Sequence, residues 1–293
     1  MPLPTVSVIV PTYRRPQKLA RCLASLSHQT LPSSAFEVIV VDDAARGFEL
    51  EPIAATAGPY RCELLSQAHG GPAAARNAGA RRARGRLLAF TDDDCEPAPD
   101  WLEVLERTMN AEAGTLLVGG RVVNALSRDP FASASQALVD FLCEKQNGEL
   151  WRARLLTSNN LCVPAEAFRD LGGFDTSFAG AGGEDRELCL RWGHTHHRAT
   201  FVPEAVVYHA HDLSLREFVR QHYGYGRGAA LLRRRADAQG YGPLPLERAS
   251  FYLELLRYPL RGPGVSARYR TSLLFAVSQV ANAAGYFDVR FRA

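Results

Sequence analysis

The chain has 293 residues, of which 46% are hydrophobic and 22% charged, and its formal net charge at pH 7 is +3. A chain of this length and composition can bury a sizeable core, which excludes a disordered protein. The charge is uneven, because residues 216–293 hold 13 arginines, no lysine and five acidic residues, or +8, and residues 1–215 carry −5.

The first 125 residues alternate between strand-like and helix-like segments. Short apolar or β-branched runs predict strands at Val6–Val10, Phe36–Val41, Cys62–Leu65, Leu87–Phe90 and Thr115–Val118. Between them the pattern predicts helices over Gln17–His28, Pro72–Arg84 and Trp101–Met109. Such alternation is typical of right-handed βαβ units. We therefore predict an α/β fold with a Rossmann-like, mostly parallel central sheet and helices on both faces.

Polar residues follow these predicted strands at the points where they end. They are Pro11–Tyr13 after the first strand, Asp42–Asp43 after the second and Asp92–Asp94 after the fourth. Ligands of open α/β sheets bind at the carboxyl ends of the strands. Three adjacent carboxylates repel one another, and a hard cation such as Mg²⁺ or Mn²⁺ would neutralise them. An Asp-rich turn without a metal is the alternative.

Six motifs follow one another along the chain. They are Val-Ile-Val-Pro-Thr-Tyr (8–13), Val-Ile-Val-Val-Asp-Asp (38–43), Gly-Pro-Ala-Ala-Ala-Arg-Asn-Ala-Gly (71–79), Phe-Thr-Asp-Asp-Asp (90–94), Gly-Gly-Phe-Asp (172–175) and Glu-Asp-Arg-Glu-Leu-Cys-Leu-Arg (184–191). In this order they resemble the inverting family 2 glycosyltransferases of the GT-A fold, from about Val6 to His211. The resemblance implies a GT-A domain over residues 1–215, with a nucleotide-binding half to about residue 125 and an acceptor half over about 126–215.

The resemblance implies a nucleotide-sugar site formed by Pro11, Thr12, Tyr13, Asp43, Arg76, Asp92, Asp93 and Asn159. Asp43 would contact the base, and Arg76 the nucleotide or its diphosphate near a helix N-terminus that attracts anions. Two alternatives stay open. Asp42 and Asp43 could instead cap a helix, and the segment around Asn159 could be a turn into a helix at Pro164.

The resemblance also implies a divalent cation, Mg²⁺ or Mn²⁺, at Asp94 and His209. His211 is a competitor for this role, because it lies two residues along the same strand face. Asp185 would be the catalytic base, with Glu184 as the second candidate. Both carboxylates begin a predicted helix, whose macrodipole would stabilise them, so a structural role also stays open. The run 194–197, with three histidines, predicts an exposed turn rather than a metal cluster.

The implied reaction is a single displacement that moves a sugar from a nucleotide-diphosphate sugar to an acceptor hydroxyl with inversion. UDP is the first expectation for the nucleotide, and dTDP and GDP stay open. The acceptor would be lipid-linked, a glycan or a small molecule, in the synthesis of a polysaccharide, glycolipid or other glycoconjugate. A catalytically inactive nucleotide-sugar-binding protein is the alternative. A dehydrogenase would need Gly-x-Gly-x-x-Gly after the first strand, where this chain has Pro-Thr-Tyr (11–13). No recognisable nucleic-acid-binding module accompanies the arginines of the C-terminal extension.

Residues 216–293 predict a basic, mainly helical C-terminal extension. Its last apolar run, Ser272–Phe287, is too short and polar to span a bilayer. Packing on an anionic membrane surface or against the body of the protein both stay open. The six cysteines form no Cys-x-x-Cys pair, and the opening residues lack signal-peptide features. We therefore predict a cytoplasmic protein, with the inner face of the membrane as a candidate surface.

Overall fold

A computed structural model describes residues 3–45, 50–51, 53, 58–111, 116–147, 155–178, 180, 182–195, 198–244, 247–261 and 265–291. In this part of the chain eight strands form one sheet: β1 (Val6–Thr12), β2 (Phe36–Asp42), β3 (Arg61–Ser66), β4 (Leu87–Phe90), β5 (Cys95–Pro97), β6 (Leu116–Asn124), β7 (Leu161–Pro164) and β8 (Arg198–His209). The same residues form nine α-helices: α1 (Pro16–Leu26), α2 (Pro72–Arg82), α3 (Trp101–Ala111), α4 (Pro130–Gln146), α5 (Ala165–Asp170), α6 (Glu184–His194), α7 (Leu215–Ala238), α8 (Ala249–Arg257) and α9 (Val265–Phe291).

The strands lie in the order β3-β2-β1-β4-β7-β6-β8-β5. Strands β1 to β4 pair in parallel, as the alternating pattern predicted. In the second half β6 and β8 are parallel, whereas β7 runs antiparallel to both of its neighbours and β5 antiparallel to β8. The α/β architecture is confirmed, and the parallel half places the ends of β1, β2 and β4 at one edge of the sheet.

Helices cover both faces of the sheet, because side chains of a strand alternate between them. Val8 and Val10 of β1 join α1 and α3 in one apolar cluster, while Ile9 joins α2, α5 and α6 in another. Helix α1 begins at Pro16, whose fixed φ suits the first helical turn. Its buried residues recur at the spacing of a single helix face: Leu19, Cys22, Leu23 and Leu26.

Several boundaries differ from the sequence-based expectation. Strand β6 continues to Asn124, well beyond Val118, and Thr115 lies outside the described residues. Residues 158–160 form a turn before β7, and α5 follows at once. The outer half of β6 is partly exposed and its pairing with β8 shifts register between Gly120 and Arg121. A half-exposed, irregular strand carries no simple apolar pattern, so its length was not predictable.

The C-terminal extension packs against the body through α4. Phe218, Leu255 and Phe275 form a third apolar cluster with Leu138 and Phe141 of that helix. Packing of the extension against the body, one of the two alternatives, is therefore observed. Across the helices that the structure describes, none combines the length and hydropathy needed to cross a bilayer.

Helices α7 and α9 of the extension touch backbone to backbone. A Cβ atom on Gly226 would lie 1.9 Å from the carbonyl oxygen of Asn282, and one on Gly285 would lie 1.9 Å from that of Tyr223. Such distances leave room for hydrogen alone at both positions. The two glycines therefore fix how closely α9 approaches α7.

Candidate active site

A cavity of about 550 Å³ opens where β1, β2 and β4 end. All twelve predicted site residues lie in the described part of the chain, and eleven of them line this cavity: Pro11, Thr12, Tyr13, Asp43, Arg76, Asp92, Asp94, Asn159, Glu184, Asp185 and His209. The fold thus brings together residues that are nearly 200 positions apart. Lining from α4, α7 and α9 completes the cavity.

Asp43 holds the loop that leads into α2. Its buried carboxylate accepts hydrogen bonds of 2.7–2.9 Å from the side chains of Gln67 and His69 and from the backbone N–H groups of Gly70 and Gly71. All of these partners belong to the loop before α2, so the Asp43 carboxylate does not cap a helix that directly follows it. That helix cap was the alternative interpretation of Asp42 and Asp43. The ring of His69 lies 4.5 Å from that of Tyr13, which is 38% exposed. These two aromatic rings, tilted by 34° to one another, form part of the cavity wall.

Asp93 is the predicted site residue that does not line the cavity. Its carboxylate accepts a hydrogen bond of 2.7 Å from Thr12 Oγ1, and Arg15 Nη2 lies 2.7 Å from its other oxygen. Burial raises the pKa of Asp93 to about 6, against the lowering effect of Arg15. Asp93 is fully buried and holds the ends of β1 and β4 together, and its contact with the nucleotide sugar stays a prediction.

Asp94 and His209 lie close enough to share a metal ion. Their nearest atoms, Oδ1 and Nε2, are 3.4 Å apart, while His211 Nδ1 is 3.9 Å from the other oxygen of Asp94. The cysteine beside Asp94 offers a third atom within 4.8 Å. Burial raises the pKa of that thiol, Cys95, well above its usual value, and a sulfur ligand suits soft ions rather than Mg²⁺ or Mn²⁺.

The charge of Asp94 is held by its neighbours. Burial alone would raise its pKa, but the hydrogen bond and charge of His209, followed by the charges of Arg15 and Lys18, hold the pKa well below the ordinary value. Arg15 Nη1 lies 2.8 Å and Lys18 Nζ 3.5 Å from the same oxygen. An ionised carboxylate beside an imidazole suits a transition ion such as Mn²⁺ better than Mg²⁺, which prefers oxygen ligands throughout.

Arg76 joins two motifs that are far apart in the sequence. Its guanidinium donates to Asp92 at 2.7 Å and to Glu184 at 3.0 Å, and it lies 5.6 Å from the centre of the Phe174 ring. The residue is 3% exposed, so its charge is compensated almost entirely by these two carboxylates. Arg76 lines the cavity, but its contacts hold the site together.

Asp185 differs from Glu184 in its surroundings. Glu184 is paired with Arg76, whereas Asp185 Oδ1 accepts a hydrogen bond from the N–H of Arg186 at 2.7 Å. Burial and the charge of Glu184 raise the pKa of Asp185 from 3.8 to about 6. A carboxylate with a pKa just below neutrality is ionised at pH 7 and accepts a proton more readily than an ordinary aspartate.

The two neighbouring asparagines have different roles. Asn160 is fully buried: its Oδ1 accepts from Trp101 Nε1 at 2.9 Å and its Nδ2 donates to the carbonyl oxygens of Arg121 and Ala205. Asn159 lines the cavity, and its Oδ1 has no hydrogen-bond partner among the described residues. That oxygen is itself buried, so a ligand hydroxyl would reach it only after the amide turned toward the cavity.

Sequence reasoning did not find several lining residues. Arg15 follows the first motif by two positions and carries no pattern of its own, whereas residues 221, 222, 225, 229 and 232 of α7 recur at helical spacing. That spacing was the available signal, with Gln221 Nε2 donating to the Tyr225 hydroxyl at 2.7 Å. In the histidine run, His194 stacks on Tyr241 outside the cavity lining, and residues 196 and 197 lie outside the described residues.

Comparisons with known families agree with this geometry. A family model described as glycosyl transferase family 2 matches residues 7–170, and one described as N-terminal domain of galactosyltransferase matches residues 143–212. Mannosyltransferase PcManGT from Pyrobaculum calidifontis, in complex with GDP-Man and Mn²⁺, has a TM-score of 0.69 at 21% identity, covering 98% of this chain and 88% of that chain. The predicted GT-A fold is confirmed.

Curated relatives are longer than this chain. Glycosyltransferase AglE of Haloferax volcanii is 31% identical over 182 residues, which cover 61% of this chain and 59% of the relative. Pre-mycofactocin glycosyltransferase of Mycobacterium tuberculosis is 31% identical over 235 residues, which cover 78% of this chain and 47% of the relative. The matches thus span between 47% and 59% of these relatives' length.

Proposed function

The chain belongs to glycosyltransferase family 2, and on that premise we propose that it transfers a sugar from a nucleotide-diphosphate sugar to an acceptor hydroxyl with inversion. The observation that carries the proposal is the convergence in one cavity of Asp94 with His209 and of Asp185 with a pKa raised to about 6. A protein that only bound nucleotide sugars would have no use for a carboxylate prepared to accept a proton.

The donor would lie along the edge formed by β1, β2 and β4. The rings of Tyr13 and His69 would contact the base beside the loop that Asp43 holds. Arg15 and Lys18 would face the diphosphate, because both lie at Asp94 and Arg15 is 42% exposed. Asn159, which lines the same cavity, would lie near the donor sugar. UDP is the first nucleotide to test, and GDP the second because PcManGT holds GDP-Man.

Asp94 and His209 are the residues that would hold a divalent cation. When bound, such an ion offsets the charge that develops on the diphosphate leaving group. These two residues fit a divalent cation, because the Asp94 carboxylate is kept ionised and His209 Nε2 lies 3.4 Å from its Oδ1.

Asp185 would act at the opposite side of the anomeric carbon. It takes the proton of the acceptor hydroxyl while the acceptor oxygen forms a bond to the anomeric carbon and the bond to the diphosphate oxygen breaks. An α-linked donor then gives a β-linked product. Arg76 would keep Glu184 and Asp92 in place on either side of the reacting atoms through its two ion pairs.

The proposal is tested first by donor binding. Calorimetry with UDP, GDP and dTDP, each in Mn²⁺ and in EDTA, is expected to give at least one nucleotide whose affinity depends on the ion. In Asp94→Ala this dependence should disappear, whereas the exposed Asp170→Ala should behave as wild type. If no nucleotide binds, or if Asp94→Ala keeps the full response to Mn²⁺, the proposed donor site is wrong.

A membrane-borne acceptor is the second part of the proposal. Twelve of the fifteen large hydrophobic side chains that are exposed in the described residues lie between 215 and 291. The same extension carries 13 arginines and no lysine. Exposed apolar side chains among arginines are typical of surfaces that bind anionic membranes. We propose that the extension holds the enzyme at such a surface.

A further inference from the structure

The cavity has a second part with a different lining. Beyond the donor edge, α4 contributes Leu138, Val139 and Leu142, the segment after residue 154 contributes Leu155, and α7 contributes Leu232. The donor edge, in contrast, is lined by charged and aromatic residues. We name the space between these five apolar side chains the apolar chamber.

One face of α4 changes character along its length. The residues that line the cavity run from Ala132 to Leu142, a rise of about 15 Å at 1.5 Å per residue. Ser135 and Gln136 stand in the first part of this face, where Ser135 lies 3.5 Å from Gln221 of α7. The residues that follow on the same face are apolar. The lining therefore passes from polar to apolar within one helix.

Two of the chamber residues belong to segments that contact α6 close to Asp185. In α6, the thiol of Cys189, one turn after Asp185, is 3.8 Å from the carbonyl oxygen of Leu156, next to Leu155. From the other side, a Cβ on Gly183 would lie 3.6 Å from the backbone of Gly228, which is one turn before Leu232 in α7. The N-terminus of α6 is therefore flanked by the segments that carry two of the chamber residues.

A sugar hydroxyl placed against these side chains would lose its hydrogen bonds to water without finding new ones. Each such loss weakens binding, because the buried hydroxyl is left without a partner. An alkyl or aromatic group would instead gain from leaving water, in proportion to the area that it buries. The lining therefore discriminates between acceptors by the group next to the reacting hydroxyl.

We propose that the apolar chamber binds an apolar part of the acceptor adjacent to its reacting hydroxyl, so that the acceptor carries an alkyl or aromatic group there and is not an unsubstituted oligosaccharide. This inference rests on the proposed function, because Asp185 defines where the hydroxyl lies. The two sources of such a group, a lipid chain and an aromatic ring, share the same chemistry and are separated by the experiment.

The test is a series of methyl, propyl, butyl and hexyl β-D-glucosides, with phenyl β-D-glucoside beside them. Each is titrated by calorimetry into the full chain in the presence of Mn²⁺ and the nucleotide that binds best. Affinity is expected to rise about fourfold per methylene, which corresponds to about 0.8 kcal/mol. Length dependence with a weak phenyl response indicates a lipid-like acceptor, and a strong phenyl response with little length dependence an aromatic one.

Two chamber variants locate the effect. Leu142→Gln keeps the size of the side chain, and Val139→Thr is a milder change if the first variant folds poorly. In both variants the glucoside affinity should rise less with alkyl chain length than in the wild type, while nucleotide affinity stays at the wild-type value. Leu253→Gln, exposed on α8 and outside the cavity lining, should leave the series unchanged.

The outcomes separate this inference from the proposed function. If nucleotide binds but neither the alkyl series nor the phenyl glucoside exceeds methyl glucoside, the apolar chamber is not an acceptor site and the proposed function stands. The same conclusion follows if both chamber variants retain the wild-type series. If no nucleotide binds to the wild type, the proposed function itself fails.

Discussion

Replacing Asp185 with Asn tests the base directly. The amide keeps the size of the side chain and can still accept the hydrogen bond from the N–H of Arg186, but it cannot take a proton at neutral pH. A positioned base contributes about 10²–10⁴-fold to a rate. Transfer should therefore fall by that factor, which corresponds to a rise of about 2.7–5.4 kcal/mol in activation free energy, while donor affinity changes little. Product formation and donor binding are measured on the same preparation.

The pH dependence of the wild type gives an independent check. Because burial and Glu184 raise the pKa of Asp185 to about 6, the base is ionised above that pH and protonated below it. The value of kcat/KM should be level above about pH 7 and fall about tenfold per pH unit below pH 6. The acidic limb should be absent from the residual activity of Asp185→Asn.

Stability distinguishes loss of the base from loss of the fold. A raised pKa means that the ionised form of Asp185 destabilises the folded chain, fully above pH 6 and not at all below its ordinary value of 3.8. Asp185→Asn should therefore be more stable than wild type at pH 7, by about 1–3 kcal/mol in urea unfolding, and the gain should vanish as pH falls to 4. The control variant Glu166→Gln, exposed in the first turn of α5, should change neither the transfer rate nor the free energy of unfolding. Near wild-type transfer by Asp185→Asn would refute the assignment and make Glu184 the candidate.

Three further predictions follow from other contacts. Asp43→Ala removes the acceptor of four hydrogen bonds and should lower the free energy of unfolding by about 2–4 kcal/mol in urea titrations; a loss below 1 kcal/mol would contradict the anchoring role. Gly226→Ala should destabilise the chain by more than about 2 kcal/mol and expose the extension to limited proteolysis, whereas Gly193→Ala, with open space around it, should be neutral or stabilising. The full chain should co-sediment with vesicles containing phosphatidylserine and detach at high salt, and equal binding to neutral vesicles would argue against the membrane proposal.

The first half of the fold was predictable because each strand carries its own signal. Val6–Val10 and Phe36–Val41 are buried on both faces, so each reads as an apolar run with a single polar residue, Ser7 or Glu37. Strand β8 gave no such signal over most of its length, because Arg198–His209 mixes buried and exposed residues without regular alternation. Its pairing with β6 is decided by tertiary contacts, and no local pattern encodes them.

The candidate site also contains residues that the sequence predicts and residues that it does not. Asp43, Asp94 and Asp185 stand at strand or helix ends, where motif and topology together place them at the cavity. The contribution of α7 could not be inferred in this way, because its position over the cavity depends on close backbone contact with α9 at Gly226 and Gly285. In a sequence alone, a glycine inside a helical segment indicates low helix propensity. Its role in close packing becomes visible only when the helix that packs against it is known.

The ion pairs of Arg76 also constrain when the site can form. Asp92 is 16 residues away in the sequence and Glu184 is 108 residues away. Closing so long a loop is costly in chain entropy, and contacts of this separation slow folding. The two ion pairs of Arg76 are therefore complete only when α6 has packed against the β1–β4 half. Recovery of helical signal on refolding should accordingly precede recovery of donor binding.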